Sequence, residues 1–287
     1  MDRLKSFSDP AIFIILGPTG VGKSTMIQHL KADLAKAMKS AMVDDPSLIP
    51  YLEAEATYTP GVGLDWATFL EDLLDSGNDL LIDAKVENPT DRPGSRVRAL
   101  LRAVNRMMLY RSPALGIIDE GAALVKAGSR GGLETNLNYL KSLGNRSKTH
   151  LAFFGDYGLA ELAQYSGQLD RRCYFAHLPP YPSTMGKEFG DVVASFEKRA
   201  HSFGISCELC SSTDFLLANS CGCVGLLHRW IQEALVEARQ KGGRLGPEVI
   251  KKTAPSVVAL AKWRAEIASG AAKMEGLFKS SGELFEP

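Results

Sequence analysis

The first two thirds of the chain alternate between short apolar runs and segments of helical periodicity. Three runs are apolar on both faces, as is typical of strands buried within a parallel sheet: AIFIIL (11–16), ALGIID (114–119) and HLAFFGD (150–156). YLEAEATY (51–58) alternates apolar and polar residues and indicates a further strand. Helical segments are predicted at 23 to about 39, 64–76, about 96–110 and 132–145. The pattern predicts an α/β fold, with a parallel sheet flanked by helices.

The pattern changes after LPPYP (178–182), where only helical segments follow. They are predicted at about 185–203, 224–240 and 247–268, and the last is interrupted near Pro255. The middle helix has an apolar face, formed by Val224, Leu227, Trp230, Ile231 and Leu235. We therefore expect two domains: an α/β core at residues 1–180, and a small helical lid domain with a C-terminal tail at residues 181–287.

The composition is that of an ordinary globular protein, with 45% apolar and 23% charged residues in 287. Lys+Arg and Asp+Glu are equal at 33 each, so a nucleic-acid contact would need a local basic patch. The chain has a polar start and no run of about 20 apolar residues, which predicts neither a signal peptide nor a membrane span. The five cysteines do not form a disulfide pattern, so we expect a reducing cytoplasm.

GPTGVGKST (17–25), which we call the phosphate loop, lies between the first predicted strand and the first helix. It matches the pattern G-x-x-x-x-G-K-[ST] through Gly17, Gly22, Lys23 and Ser24. Backbone N–H groups of such a loop surround phosphate oxygens, the lysine contacts the β and γ phosphates, and the serine hydroxyl binds Mg²⁺. The sequence thus predicts ATP and Mg²⁺ as cofactors. The remaining predicted nucleotide-binding residues of the loop are Pro18, Thr19, Gly20, Val21 and Thr25.

The acidic pair Asp119 and Glu120 ends the strand that reads IIDE. Asp119 is predicted to hold the Mg²⁺ shell, and Glu120 to polarise a water for attack on the γ-phosphate. The alternative is a strand end with solvated acids. Lys23 and Asp119 lie 96 residues apart, which leaves room for an additional strand between the two motif strands. This arrangement resembles the P-loop ATPases with an additional strand and a catalytic glutamate.

Further polar residues are candidates for the same site. Asp156, at the end of HLAFFGD, is predicted to sense the γ-phosphate or orient water, with a simple turn as the alternative. Arg171 or Arg172 is predicted to act across a subunit interface, unless both only complement a helix end. On the lid helix, His228 or Arg229 can reach the nucleotide or simply belong to an exposed polar face.

These motifs resemble the AAA+ superfamily and, more narrowly, the transposition ATPases TnsC, TniB and IstB, above all TnsC. The discriminating stretches are LEAEATYTPGVGLDWATFLEDLL, LKSLGNRSKTHLAFFGDYGLAEL, SGQLDRR and GCVGLLHRWIQEAL. The resemblance implies an ATP-dependent homo-oligomer (a ring or helical filament, hexamer or heptamer) that assembles on double-stranded DNA in the bacterial cytoplasm. It also implies a link between a target-selection protein and a transposase, with hydrolysis driving disassembly. One departure is GAALV after IIDE, where relatives often carry a histidine.

A basic patch is predicted between residues 85 and 130, which contain nine Lys/Arg against four acids. Arg98, Arg102 and Arg106 are four residues apart and share one helical face. The flanking candidates for DNA contact are Arg92, Arg96, Lys126 and Arg130. Repeated around a ring, the patch would contact many phosphates without reading sequence. The alternative is a solvated helix face beside an acidic neighbouring helix.

Three other functions remain open from the sequence: a helicase loader or origin-binding ATPase, a nucleotide switch without hydrolysis, and a small-molecule kinase. The first shares every nucleotide motif, whereas Glu120 argues against the other two. The thiols of CELC (207–210) and CGC (221–223) could hold zinc, but free cysteine commonly packs as a small core residue. We expect the latter.

Overall fold

The computed structural model describes residues 10–59, 63–78, 95–126, 130–164, 173–240 and 244–280. The chain divides into two compact units. The first contains the chain up to Leu16 and Ser24–His177, and the second contains Gly17–Lys23 and Leu178–Pro287. The break after His177 lies near the boundary predicted at residue 180, but most of the phosphate loop groups with the second unit.

The first part of the chain alternates strands and helices, as the apolar pattern predicts. Its strands are β1 (Ile12–Leu16), β2 (Tyr51–Glu55), β3 (Tyr58–Thr59), β4 (Gly63–Leu64), β5 (Leu115–Asp119), β6 (His150–Gly155) and β7 (Cys173–His177). Its helices are α1 (Lys23–Asp44), α2 (Trp66–Ser76), α3 (Ser95–Arg111), α4 (Ala122–Lys126) and α5 (Arg130–Ser147), with a 3₁₀ helix at Tyr157–Gln164.

Five of these strands form a parallel sheet in the order β2-β5-β6-β1-β7. The predicted α/β fold with a parallel sheet is therefore confirmed. β6 lies between β1, which leads into the phosphate loop, and β5, which ends at Asp119. This is the additional strand for which the spacing of the two motifs leaves room.

The sheet and its helices are held by the apolar runs seen in the sequence. Phe153 and Phe154 of β6 are fully buried. Helix α2 packs against α3, and Leu70 and Leu100 on these two helices are also fully buried. Burial of each such side chain contributes about 1.5–3 kcal/mol. Asp65 caps α2, because its side chain accepts hydrogen bonds from the backbone N–H groups of the first turn.

Three local features differ from the sequence prediction. Residues 51–58 are not one strand: β2 ends at Glu55, and β3 pairs instead with β4 in a separate antiparallel ribbon. Helix α1 continues to Asp44, past the predicted end near residue 39. Strand β7 is a half-exposed strand at the sheet edge. Because it has no long apolar run, the apolar pattern does not predict it.

The second unit is helical, with its own apolar core. Its elements are α6 (Gly186–Ser202), β8 (Ser206–Cys207), α7 (Thr213–Asn219), α8 (Val224–Gln240), β9 (Arg244–Leu245), α9 (Pro247–Lys252) and α10 (Val257–Ser280), with 3₁₀ turns at Ser183–Met185 and Cys210–Ser212. Leu227, Trp230 and Ile231 of α8 lie in the core, as the predicted face requires. The Trp230 indole N–H donates to Thr253 Oγ1 at 3.1 Å. Within the described residues, no helix is both long enough and apolar enough to cross a membrane.

Candidate nucleotide site

The phosphate loop has a backbone that only glycine adopts easily. Gly20 and Gly22 have φ angles of 77° and 118°, in the region that a Cβ disfavours. A Cβ at Gly22 would meet no atom within 4 Å, so the backbone there is open to a ligand. A Cβ at Gly17 would lie 2.5 Å from the carbonyl oxygen of Leu178, so the backbone at Gly17 is tightly packed and leaves no room for a side chain. The loop thus combines an open backbone with tight packing.

Lys23 and Ser24 belong to the last part of the phosphate loop and begin helix α1. Lys23 Nζ donates to the carbonyl oxygens of Gly17 and Pro18, at 2.9 and 3.0 Å. Ser24 and Thr25 are exposed, and the first turn of α1 contains no acidic residue. The positive end of the helix is therefore not neutralised by its own side chains, which favours an anion at this position.

Asp119 ends β5, and Glu120 begins the turn that leads to α4. Asp119 Oδ1 accepts a hydrogen bond from the N–H of Glu120 at 2.8 Å. Glu120 has a φ of 51°, a left-handed backbone that is uncommon for a residue with a side chain. The turn is fixed to β6, because the N–H of Gly121 donates to the carbonyl of Phe154 at 2.8 Å. The Glu120 side chain is exposed and Asp119 is half-buried, so both carboxylates are accessible.

Asp156 follows β6 and forms a local turn. Its Oδ1 accepts from the N–H of Gly158 at 2.7 Å, and its carbonyl accepts from Leu159 at 3.1 Å. The turn chemistry weighed as the alternative is therefore present, and γ-phosphate sensing stays a prediction. The next residue, the buried Tyr157, hydrogen-bonds through its hydroxyl to His177 Nε2 at 3.0 Å. Burial lowers the pKa of His177 and so favours the neutral imidazole.

The strand register brings the acidic candidates of the first unit to one edge of the sheet. Leu16 pairs with Gly155, and Ile118 with Phe153, so Asp119 ends β5 and Asp156 directly follows β6 at the carboxyl ends of neighbouring strands. Carboxylate and hydroxyl oxygens are ligands that Mg²⁺ prefers. The exposed Ser24 hydroxyl and the half-buried Asp119 carboxylate therefore fit the predicted magnesium ligands in kind.

The remaining predicted residues either lie outside the described residues or have a role that stays a prediction. Arg92, Arg171 and Arg172 lie outside the described residues. Lys126 ends α4 and Arg130 begins α5. The other two candidates lie on the lid helix α8: Arg229 is exposed and pairs with Glu233 at 3.1 Å on the same helix, and the His228 ring stacks on Phe196.

The basic face of α3 is accessible to solvent. Arg98, Arg102 and Arg106 are exposed, whereas the opposite side of the helix is buried. The guanidinium of Arg96 pairs with Glu71 of α2 at 2.5 Å. For Arg96, that pair agrees with the alternative of an acidic neighbouring helix.

The cysteines of the second unit pack as core or surface residues. Cys207 and Cys223 are buried, and burial raises their thiol pKa values to about 11 and about 12. Among the described residues, no three His, Cys, Asp or Glu side chains are grouped so that they could hold a metal ion.

Sequence reasoning did not find two contacts, one made by the residue after Asp156 and one made by the phosphate loop. Tyr157 and His177 meet because β6 and β7 both flank β1, although 20 residues separate them in sequence. Glu266 of α10 accepts hydrogen bonds from Thr19 of the phosphate loop, across 247 residues. Neither pair belongs to a contiguous motif, and a pattern within one sequence carries no signal for such contacts.

Comparison with known proteins is consistent with this site. Residues 5–163, more than half of the 287, match the family described as the AAA domain. Among solved structures, the chain is similar to the Walker-type ATPase PABY2304 of Pyrococcus abyssi, with a TM-score of 0.53 and 16% identity over 88% of this chain and 69% of that chain. At that identity the likeness shows the fold alone. No curated protein matches the chain.

Proposed function

The chain belongs to the AAA domain family, and on that premise we propose that it is a Mg²⁺-dependent ATPase. Two features carry the proposal, and in the chain each stands at the carboxyl end of a strand of the parallel sheet. One is the phosphate loop that follows β1, in which Gly20 and Gly22 have left-handed φ angles and Gly22 is open. The other is the accessible pair Asp119 and Glu120 at the end of β5, separated from β1 by the additional strand β6.

Each residue has one role in the proposed reaction. The N–H groups of the phosphate loop and the Lys23 ammonium bind the β and γ phosphates. Ser24 and Asp119 hold Mg²⁺, which neutralises phosphate charge when bound. Glu120 accepts a hydrogen bond from a water and orients it in line with the γ-phosphorus. The new P–O bond forms as the bond to the β-phosphate oxygen breaks, ADP leaves, and Glu120 takes up the water proton.

The exchange Glu120→Gln tests the hydrolysis step. Glutamine keeps the size of the side chain but cannot accept the proton, so we expect phosphate release to fall about 10²–10⁴-fold. The affinity for a non-hydrolysable ATP analogue should be retained, because Glu120 does not bind the phosphates. Glu248→Gln, an exposed acid of α9, is the matched control and should hydrolyse ATP at the wild-type rate. Unchanged turnover in Glu120→Gln would instead favour a nucleotide switch.

For the biological role, we propose an ATP-dependent regulator of DNA transposition that oligomerises on duplex DNA. It would link a target-selection protein to a transposase, and hydrolysis would disassemble it. Support comes from the sequence stretches that resemble TnsC and from the exposed arginines of α3. Residues four apart on a helix are about 6 Å apart along its axis. Arg98, Arg102 and Arg106 therefore form a row that can follow a phosphate backbone without reading bases.

Electron microscopy on duplex DNA tests the assembly, with ATP, with ADP and with a non-hydrolysable analogue. We expect rings or filaments that enclose the duplex only in the triphosphate states. A monomer that ignores both DNA and nucleotide would refute the oligomer. Binding of the C-terminal tail to a helicase rather than a transposase would favour the second candidate, a helicase loader or origin-binding ATPase.

The arginine row has its own test in the salt dependence of DNA binding. We expect Arg102→Ala to reduce the slope of log K against log salt by about 1, the value for one lost phosphate contact. Arg239→Ala, on the exposed surface of α8, removes the same charge and is the control. Equal slopes for both variants would show that α3 does not carry the DNA contact.

A further inference from the structure

A carboxylate from the far end of the chain is bound to the phosphate loop. Glu266 of α10 accepts two hydrogen bonds through Oε1, from the backbone N–H and from the hydroxyl of Thr19, each at 3.2 Å. Backbone N–H groups of such loops bind anionic ligands. Glu266 is thus an anion supplied by the chain itself to the loop that we assign to ATP.

The same loop is held at the neighbouring residue by helix α8. The N–H of Gly225 donates to the carbonyl oxygen of Gly20 at 2.6 Å. The approach is close enough that a Cβ at Gly225 would lie 2.8 Å from that oxygen. The loop from Gly17 to Lys23, α8 and α10 all belong to the second unit. Thr19 and Gly20 are therefore fixed by two separate helices, and only the contact to Thr19 brings a negative charge.

Within the part of the chain that the structure describes, the Glu266 carboxylate has no ion-pair partner. Among the described residues, no lysine or arginine nitrogen lies within 4.0 Å of the Glu266 carboxylate; Arg264, two residues earlier, donates to the carbonyl of Ala218. Glu266 and Lys23 both act on the buried thiol of Cys223, whose pKa is raised by burial, then by Cys221 and by Glu266, and lowered by Lys23.

We propose that Glu266 is a further residue of the nucleotide site, an internal anion that lowers the affinity of the phosphate loop for nucleoside triphosphate. The inference rests on the proposed function of the loop. Its physical basis is that the Glu266 carboxylate and the phosphates of the nucleotide carry like charges, which repel each other when one loop holds both. Nucleotide binding also requires Thr19 to exchange its hydrogen bonds with Glu266. Nucleotide binding therefore works against the contact between Glu266 and Thr19, and α10 responds to the occupancy of the loop.

Glu266→Gln separates the charge from the hydrogen bonds, because the amide oxygen still accepts from Thr19. Calorimetric titration with a non-hydrolysable ATP analogue and Mg²⁺ gives the affinity. At 50 mM salt we expect Glu266→Gln to bind about three- to tenfold more tightly than wild type, and screening should shrink the gain at about 300 mM. Glu248→Gln removes one charge from α9 in the same unit and should leave the affinity unchanged. Unchanged or weaker binding in Glu266→Gln would overturn the proposal.

A second measurement needs no nucleotide. Amide hydrogen exchange in the wild type should show protection at Thr19 that is lost in Glu266→Ala and retained in Glu266→Gln. Equal exchange in all three proteins would overturn the contact itself. Failure of the wild type to bind the analogue would overturn the proposed function and this inference together. Binding with the same affinity in wild type and Glu266→Gln would overturn the inference alone.

Discussion

Replacement of Gly225 by alanine tests the close approach of α8 to the phosphate loop. Alanine in a helix is usually stabilising, by about 0.5–1 kcal/mol relative to glycine. At Gly225, however, the new Cβ would lie 2.8 Å from the carbonyl oxygen and 3.0 Å from the Cα of Gly20. Both atoms are backbone, so the overlap cannot be relieved by turning a side chain.

The expected magnitude follows from three contributions. Overlap in packed structure costs about 1–3 kcal/mol. Displacement of the helix also lengthens the 2.6 Å hydrogen bond from the N–H of Gly225 to Gly20, which is worth about 1 kcal/mol. The gain in helix propensity offsets at most about 1 kcal/mol of this. We therefore expect a net loss of about 1–3 kcal/mol, together with weaker nucleotide binding because the loop must shift.

The assay is thermal unfolding with and without a non-hydrolysable ATP analogue, compared with Gly276→Ala. Gly276 lies within α10, and a Cβ there would meet no atom within 4 Å. Gly276→Ala should therefore raise the unfolding temperature, whereas Gly225→Ala should lower it and reduce the shift caused by the analogue. If both alanines raised the unfolding temperature equally, the reasoning about the loop and α8 would be refuted.

Further predictions concern single side chains. Asp65→Ala should destabilise the protein to urea by about 0.5–2 kcal/mol, because it removes the cap of α2, and Asp65→Asn should retain most of the stability. Trp230→Phe should cost about 1 kcal/mol in the same assay through loss of the hydrogen bond to Thr253, and an unchanged midpoint would contradict the role of that bond. Burial raises the pKa of Cys223 to about 12, above the value of about 8.5 for an unfolded thiol. The stability due to the neutral thiol is thus complete below about pH 8.5 and is lost as the pH rises toward 12. Urea titrations from pH 8 to 11 should show a smaller fall for Cys223→Ala than for wild type.

The sequence by itself determined the buried strands, the amphipathic helix α2 and the chemistry of the phosphate loop. The buried runs became β1, β5 and β6 because strands covered on both faces must be apolar throughout. GPTGVGKST requires particular backbone angles, and Gly20 and Gly22 adopt them. Helix α2 was recognisable from its spacing, since Phe69, Leu70 and Leu73 share a face. Each of these signals is local, so a single sequence contains it completely.

Only the tertiary structure decided what lies beside these elements. The placement of β6 between β1 and β5 depends on pairing between distant strands. Paired residues of β1 and β6 are more than 100 residues apart in sequence. The half-exposed strand β7 is stabilised by its neighbour β1 rather than by its own pattern. The contact between Glu266 and Thr19 spans 247 residues; the motif identifies Thr19 as part of the phosphate loop, but Glu266 looks like an ordinary polar surface residue in the sequence. Their meaning arises from proximity, which depends on how the whole chain packs and not on any local preference.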